Sequence, residues 1–207
     1  YEQPFTGVLD GRGHTIRGVE GPLLHANSGT IRDIHFKGLA AEGFPTAEIP
    51  TQPLGGVADT NTGTITNVTV SDASVRGEIV GGVVGENRGG RLTNITVEGV
   101  TITVAQYRGN DIAGGIAGRT IGGTIEAVAV DGTISGGLAG GIVGKSNGTT
   151  IREAKSSATI SNDGLAGGLV GEATATKIED SLAVSELNAP TAGGIVGSVD
   201  NRSTTES

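Results

Sequence analysis

Few side chains of this sequence are suited to catalysis, and they are scattered. The three histidines, His14, His25 and His35, all lie near the start, and none falls in the H-E-x-x-H pattern that places two imidazoles on one zinc ion. We expect His14 to be a structural turn residue. Because His35 alternates with Ile34 and Phe36, it is predicted to face solvent from a strand. No catalytic residue and no metal site is therefore predicted.

Chemistry on a polysaccharide would require groups that converge. Hydrolysis of a glycosidic bond uses two carboxyl groups about 5–10 Å apart. The aspartates of this chain are spread along the sequence, and two tyrosines without any tryptophan offer little surface for stacking on a sugar. The chain itself is predicted not to be an enzyme. Binding or cleavage of a polysaccharide is kept as the alternative function.

Residues suited to recognition lie in two segments that interrupt the regular pattern described below. The first segment, 37–54, contains Phe44 and three prolines, which exclude a regular helix or a central strand. The second segment, 104–112, contains Tyr107 and Arg108, and tyrosine with arginine is a frequent pair at protein interfaces. Loops that leave a rigid scaffold often carry function, so these residues are candidates for binding a partner.

Three charged residues complete the set of candidates. Arg119 and Lys145 occupy the same place in adjacent repeats, where like charges would lie side by side, so both are candidate contacts for an acidic ligand. Asp111 belongs to the second inserted segment. With Asn110 and a backbone carbonyl it could ligate calcium, but two neighbouring oxygen donors do not define a site, and no cofactor is predicted.

A repeated unit would position these residues. A double glycine followed by two small aliphatic residues, and usually by a third glycine, occurs six times. It begins at Gly55, Gly81, Gly114, Gly140, Gly167 and Gly193. The successive starts are 26, 33, 26, 27 and 26 residues apart, so a unit of about 26 residues repeats and one copy carries an insertion. A fixed period of this size is typical of stacked, quasi-one-dimensional folds.

Each unit contains three short apolar strands, whose aliphatic residues align from repeat to repeat. The first-strand positions are Val57, Val83, Ile116, Ile142, Leu169 and Ile195. The second-strand positions are Ile31, Ile65, Leu92, Ile125, Ile151 and Ile178, and the third-strand positions are Val75, Ile102, Ile134 and Ile160. One unit cannot bury its own apolar edge, so successive units must stack strand on strand. We predict an all-β fold, a right-handed parallel β-helix (β-solenoid) with about 26 residues per coil and three short strands per coil.

Polar residues beside these columns are predicted to face outward. After the first strand the series is Glu86, Arg119, Lys145 and Glu172, and after the second-strand isoleucine it is Arg32, Thr66, Thr93, Glu126, Arg152 and Glu179. Rows of threonine can order water on ice. Charged residues interrupt this row, so ice binding is the least favoured function.

Composition restricts the partners and the compartment. Of the 207 residues, 14 are basic and 22 acidic, and the net charge of −8 disfavours nucleic acid and anionic membranes. No apolar run approaches the ~20 residues that a membrane helix needs, so membrane insertion is not predicted. The absence of cysteine suits the outside of a bacterium, where a free thiol would be oxidised. We therefore expect a secreted or cell-surface location.

Two motifs resemble known bacterial proteins. The first motif, formed by Phe5, Gly7 and the run from Leu9 to Ile16, resembles the F-x-G-x-L-D-G-x-G-H-T-I opening of bacterial surface β-helices. The second motif, at 141–144 and 168–171, is similar to the GLUG repeat. Together they resemble the N-terminal, non-catalytic region of streptococcal-type immunoglobulin A proteases, and also large adhesins. The resemblance implies that this segment is a binding module. If the parent protein is a zinc peptidase, its catalytic site lies outside this segment.

The GLUG resemblance includes an asparagine two positions after the second-strand isoleucine. Asn67 and Asn94 keep this residue, whereas Ala127, Glu153 and Asp180 replace it, so no unbroken asparagine ladder is expected there.

The sequence thus predicts a single β-helix domain over 1–200, with opening coils at 1–36, GLUG-like repeats at 55–197 and a polar tail at 201–207. Further domains of the same parent chain are expected to follow the tail. We expect a non-catalytic stalk or binding module of a larger secreted or cell-surface bacterial protein, with a host protein or a glycan as its ligand.

Overall fold

The computed structural model describes residues 3–43, 52–104 and 111–200. Three of the candidate binding residues, Phe44, Tyr107 and Arg108, lie outside this part of the chain, as does the tail 201–207. The described residues form strands and turns without any helix, so the predicted all-β class is confirmed. Within them there is accordingly no helix long and apolar enough to cross a membrane.

The strands form two sheets in which the pairing is parallel. The larger sheet has 16 strands: β1 (Val8–Arg17), β3 (Thr30–Lys37), β4 (Ala40–Glu42), β5 (Pro53–Gly55), β7 (Thr64–Ser71), β8 (Ser74–Gly77), β9 (Ile79–Gly81), β11 (Arg91–Val104), β12 (Ile112–Gly114), β14 (Thr124–Gly140), β16 (Thr150–Ser156), β17 (Thr159–Gly167), β19 (Lys177–Glu179), β20 (Leu182–Ala183), β21 (Glu186–Asn188) and β22 (Thr191–Gly193). The smaller sheet has 7 strands: β2 (Leu24–Asn27), β6 (Ala58–Asn61), β10 (Val84–Arg88), β13 (Ala117–Ile121), β15 (Val143–Asn147), β18 (Val170–Thr174) and β23 (Val196–Val199).

The second-strand column is confirmed along the whole stack. Each of its residues is directly paired with its counterpart in the next repeat, and the column extends back to β1. The register is Leu9, Ile31, Ile65, Leu92, Ile125, Ile151, Ile178. Ile31, Ile65 and Ile125 are fully buried. Side chains on one face of a strand recur every second residue, so this pairing aligns the apolar faces of all the repeats in one core.

The third-strand column is also confirmed, but the second and third strands are not always separate. Val75, Ile102, Ile134 and Ile160 pair in register, and Ala41 and Leu187 extend the column at its two ends. In the middle of the stack β11 and β14 run through both strands as single elements of 14 and 17 residues. Gly99 and Gly132, at φ +60° and +143°, lie where the register of this pair shifts, so the chain bends there without ending the strand.

The segment predicted as the first inserted loop is partly strand. β4 lies within 37–54 and pairs with β8. Leu39 and Ala41 are 1% and 0% exposed because they continue the apolar core. The prolines that argued against a strand come later, and Pro53 is the first residue of β5, a position that proline tolerates.

One position of the repeat has a left-handed backbone throughout the stack. Asp33, Asn67, Asn94, Ala127, Glu153 and Asp180 have φ between +48° and +54°. Each lies between the apolar residues that pair in register with the next repeat. Asparagine and aspartate tolerate this conformation better than other non-glycine residues. The asparagine of the GLUG-like pattern is therefore a backbone requirement rather than a binding ladder.

The double glycines permit the closest packing in the stack. A Cβ atom on Gly81 would lie 2.0 Å from the carbonyl oxygen of Val84 and 2.8 Å from the Cα of Ala117. No L side chain fits in such a space, so the repeated glycine is required where the chain turns from the larger sheet into the smaller one.

Candidate functional site

Both insertions leave the stack at the same place in the repeat. The backbone of Gly43, just before the first insertion, bonds to the strand that ends at Gly77, and Val104, just before the second, pairs with Gly77. The chain returns at Pro53 and Ile112, which both pair with Ile79. In the repeat that contains β8 and β9, Glu78 is the single residue between these two strands. We call this shared position the insertion corner; it brings together the described residues on either side of the two inserted segments.

A groove of about 600 Å³ lies beside the insertion corner. Its lining comes from four strands, β8, β11, β14 and β17. Its polar members are Arg76, Thr103, Ser135, Ser161, Asn162 and Asp163. Arg76, Thr103, Ser135 and Ser161 are paired directly in adjacent strands. Neighbouring strands lie about 4.7–4.9 Å apart, so these groups form a row along the stack. The row is suited to an extended ligand.

The chemistry of the groove is polar. The side-chain amide of Asn162 donates a hydrogen bond to the carbonyl oxygen of Leu165 at 2.8 Å, which fixes its orientation. Its own side-chain carbonyl oxygen is buried and accepts no hydrogen bond. Hydroxyl groups from three strands, a guanidinium and an exposed carboxylate complete the surface. A ligand that both donates and accepts hydrogen bonds would fit this lining.

Arg119 and Lys145 are neighbours as predicted, but each has an acidic partner. They pair directly in adjacent strands of the smaller sheet. The guanidinium of Arg119 contacts the carboxylate of Glu86 in the preceding strand, and the ammonium of Lys145 lies 2.7 Å from the carboxylate of Glu172 in the following one. The column is therefore acid–base–base–acid, and the flanking carboxylates offset the like-charge repulsion on which the prediction depended.

Glu86 does not face solvent as the outward series predicted. Its side chain is 0% exposed and contacts the guanidinium groups of Arg88 and Arg119. These two long side chains cover the carboxylate while they neutralise it. In the second series the register is as predicted, and the amino group of Lys177 and the guanidinium of Arg152 lie 2.8 and 3.8 Å from Glu179.

The three histidines lie in separate environments. His14 Nδ1 contacts the carbonyl oxygen of Gly11 at 2.9 Å, within the turn-like bulge of β1, as expected for a structural residue. His35 is half-buried rather than facing solvent freely, because its Nε2 contacts the hydroxyl of Ser71 at 2.8 Å. A smaller pocket of about 350 Å³ beside it includes Arg12 and Asp33.

His25 forms a contact with an acidic residue of the next repeat. Its Nδ1 lies 2.8 Å from Asp59 Oδ2. Burial raises the pKa of Asp59, while the hydrogen bond from His25 acts in the opposite direction. Among residues 3–43, 52–104 and 111–200, no group of three or more histidine or acidic side chains is placed to hold a metal ion.

The sequence predicted the two insertions but not the groove or the shared corner. The signal was the distance from the third-strand residue to the next double glycine. Gly81 follows Val75 by six positions, whereas Gly114 follows Ile102 by twelve. The residues on both sides of the insertion keep their register, since Val104 pairs with Gly77 and Ile112 pairs with Ile79. In sequence, the extra residues therefore fall between β11 and β12, where the preceding repeat has the single residue Glu78.

Two solved structures resemble this fold. One, described as an IgA1 protease, superposes on 95% of this chain with a TM-score of 0.77 and 20% sequence identity. The other, a candidate immunoglobulin A1 protease from Bacteroides ovatus, superposes on 92% of this chain and 68% of its own length, with a TM-score of 0.60 and 20% identity. No protein-family model and no curated protein sequence matches the chain.

At this identity the likeness establishes a shared fold alone. The chain spans 17% of the length of the first neighbour. The resemblance to IgA protease-like proteins is thus supported at the level of the fold.

Proposed function

We propose that this chain is a right-handed parallel β-helix that serves as a non-catalytic recognition module of a larger, secreted or cell-surface, IgA protease-like bacterial protein. Its ligand is a host protein or a glycan, and the ligand-binding surface is the groove beside the insertion corner. The observation that carries the proposal is that the residues flanking both insertions meet at one corner, next to a row of polar side chains. Variable loops on a regular scaffold are a common basis of recognition.

Several features support a binding role over a catalytic one. The groove combines hydroxyl groups, an amide, a guanidinium and a single carboxylate, Asp163. Hydrolysis of a glycosidic bond normally uses two carboxyl groups that flank the bond, and the lining supplies one. The two fold neighbours are described as IgA1 proteases, and the chain covers a small part of the first of them. A role beside the catalytic domain of such a parent is consistent with that share.

Recognition of a polysaccharide is the second candidate, and the row of hydroxyl groups favours it. Thr103, Ser135 and Ser161 present alternate donors and acceptors at the spacing of parallel strands. Sugar hydroxyl groups would be matched by such a row. The same groove thus serves both ligand classes, and binding measurements separate them.

The test is to fill the groove. Replacing Thr103 by Trp in the groove lining is expected to weaken ligand binding by at least about tenfold, which corresponds to about 1.4 kcal/mol. Binding to immunoglobulin A1 and to a glycan array is measured with the wild-type chain, and the ligand that binds is then titrated against the variant by calorimetry.

The matched control is Thr66→Trp. Thr66 is also a half-buried, outward threonine of the larger sheet, but it belongs to the polar series beside the second-strand column and does not line the groove. It should bind like the wild type. Equal affinity of the two variants would place the binding surface elsewhere, and binding to neither ligand class would contradict the proposed function.

A further inference from the structure

Among the residues that the structure describes, two glutamates are almost completely buried, and their surroundings differ. Glu86 is 0% exposed and is neutralised by two arginines. Glu78 is 1% exposed, and neither of its carboxylate oxygens accepts a hydrogen bond. A buried carboxylate without a partner is costly, because nothing replaces the water that solvated it. Such a group requires a specific explanation.

The position of Glu78 supplies a second observation. It is the single residue of the insertion corner in its repeat. The backbone N–H of Ile112 donates to the carbonyl oxygen of Glu78 at 2.9 Å, so Asp111 is its neighbour in the next repeat. In the preceding repeat, Pro53 pairs with Ile79. Gln52, which comes just before Pro53, is therefore the neighbour of Glu78 in that repeat. Three consecutive repeats thus carry Gln52, Glu78 and Asp111 at the same position, which supplies one amide and two carboxylates.

We propose that Glu78 binds a divalent cation at the insertion corner, with Asp111 and Gln52 as the neighbouring oxygen donors. Calcium is the class of ion that the donors favour, because all three residues supply hard oxygen ligands and calcium accepts irregular geometries completed by backbone carbonyls and water. The ion would neutralise Glu78 and connect the repeats from which the two insertions leave. This inference is independent of the ligand assigned to the groove.

The experiment is calcium titration of the purified chain. Calorimetry is expected to give one site per chain. Thermal unfolding should shift upward by about 5–10 °C at a calcium concentration about 100-fold above Kd, compared with the chain in chelator. The variant Glu78→Gln removes the charge and keeps the shape, so its calcium response should be lost. The control Glu98→Gln changes an exposed glutamate of β11 and should respond like the wild type.

A second variant keeps the inference testable if Glu78→Gln does not fold. Asp111→Asn retains an oxygen but removes one charge, and its calcium affinity is expected to fall by about tenfold or more. No heat and no thermal shift in the wild-type chain would overturn the proposal. Equal affinity in the wild type and in either variant would overturn it as well. A wild type that does not respond to calcium while Glu78→Gln gains stability would contradict the proposal, and would show that the buried glutamate costs stability without binding an ion.

Discussion

The left-handed backbone position is the strictest local requirement of each repeat. For residues other than glycine the conformation costs roughly 1–2 kcal/mol, and asparagine and aspartate adopt it most readily. Asp33, Asn67 and Asn94 meet this requirement, and the side-chain amide of Asn67 also donates a hydrogen bond to Asp33 Oδ1. Ala127 and Glu153 occupy the same place with φ of +53° and +51°, so these two repeats carry strain that their neighbours avoid.

Ala127→Asn is therefore expected to stabilise the chain by about 0.5–1 kcal/mol, because the new residue accepts the left-handed conformation more readily than alanine. Urea unfolding measures the change in the free energy of unfolding. Ala129→Asn is the control, since Ala129 lies on the same strand with an ordinary backbone and asparagine is unfavourable in strands. If Ala127→Asn destabilises the chain as much as the control does, the left-handed position does not limit stability.

Among the elements, the smaller sheet contains a buried polar column that its aliphatic neighbours do not predict. The side-chain amide of Asn27 donates to Asn61 Oδ1 at 2.7 Å, and that of Asn61 donates to Asn87 Oδ1 at 2.7 Å. In the next repeats Thr120 and Ser146 continue the column with hydroxyl groups, which bond to each other at 3.1 Å. The column satisfies buried polar groups from repeat to repeat and fixes the register of the strands.

Asn61→Leu tests the value of this column. The substitution removes the central member and leaves polar groups of Asn27 and Asn87 buried with fewer partners, so we expect a loss of roughly 2–5 kcal/mol. Denaturant unfolding gives the difference. Asn147→Leu serves as the control, because Asn147 ends a strand of the same sheet but is exposed, and its change should remain within about 0.5 kcal/mol. Similar losses in the two variants would show that the column contributes little.

The elements also show how far the sequence alone determines the fold. The second- and third-strand columns were predicted correctly because each is a repeated residue type at a fixed interval, and stacking is the arrangement that buries them. The first-strand column was wrong as a strand: its residues lie in the bends just before the strands of the smaller sheet. The buried column of Asn27, Asn61 and Asn87 was not predicted, because these asparagines lie outside the GLUG-like pattern that includes Asn67 and Asn94. Its signal was an asparagine shortly before a glycine, as in Asn27-Ser28-Gly29 and Asn61-Thr62-Gly63.

The candidate site was less predictable than the columns. The two inserted segments were recognised from their prolines and from the broken period, but the groove depends on which outward residues pair across β8, β11, β14 and β17. Glu78 gave no signal at all, because its burial is a property of the assembled corner. The partners of Arg119 and Lys145 were present in the predicted outward series, but the burial of Glu86 beneath its arginines was not foreseen.

At the scale of the whole molecule, each repeat contacts mainly its neighbours, so burial depends on position in the stack. Residues of the central repeats are covered on both sides, whereas the last described repeat, which ends at Val199, is covered on one. Apart from Ile121, the exposed large apolar residues of the described chain lie near the two ends of the stack: Val8 is in β1, and Leu182, Val184, Ile195 and Val199 are in the last two repeats. Folds of this type distribute stability through nearest-neighbour interfaces.

The first-strand column allows this gradient to be measured with one chemical change at two places. Ile142 is 0% exposed and Ile195 is 41% exposed, although both occupy the same position of the repeat. Ile142→Ala removes side-chain volume from a fully packed core and is expected to cost about 2–5 kcal/mol. Ile195→Ala removes atoms that are partly hydrated already, so its cost should be about 1 kcal/mol or less. Urea unfolding of both variants compares their losses in the free energy of unfolding. Hydrogen exchange shows where each loss acts: exchange should become faster near Ile142 in Ile142→Ala, and only in β22 and β23 in Ile195→Ala. Equal losses would mean that the stack unfolds as one unit in which the last repeat is as tightly packed as the centre, and nearest-neighbour stabilisation would then not describe this chain.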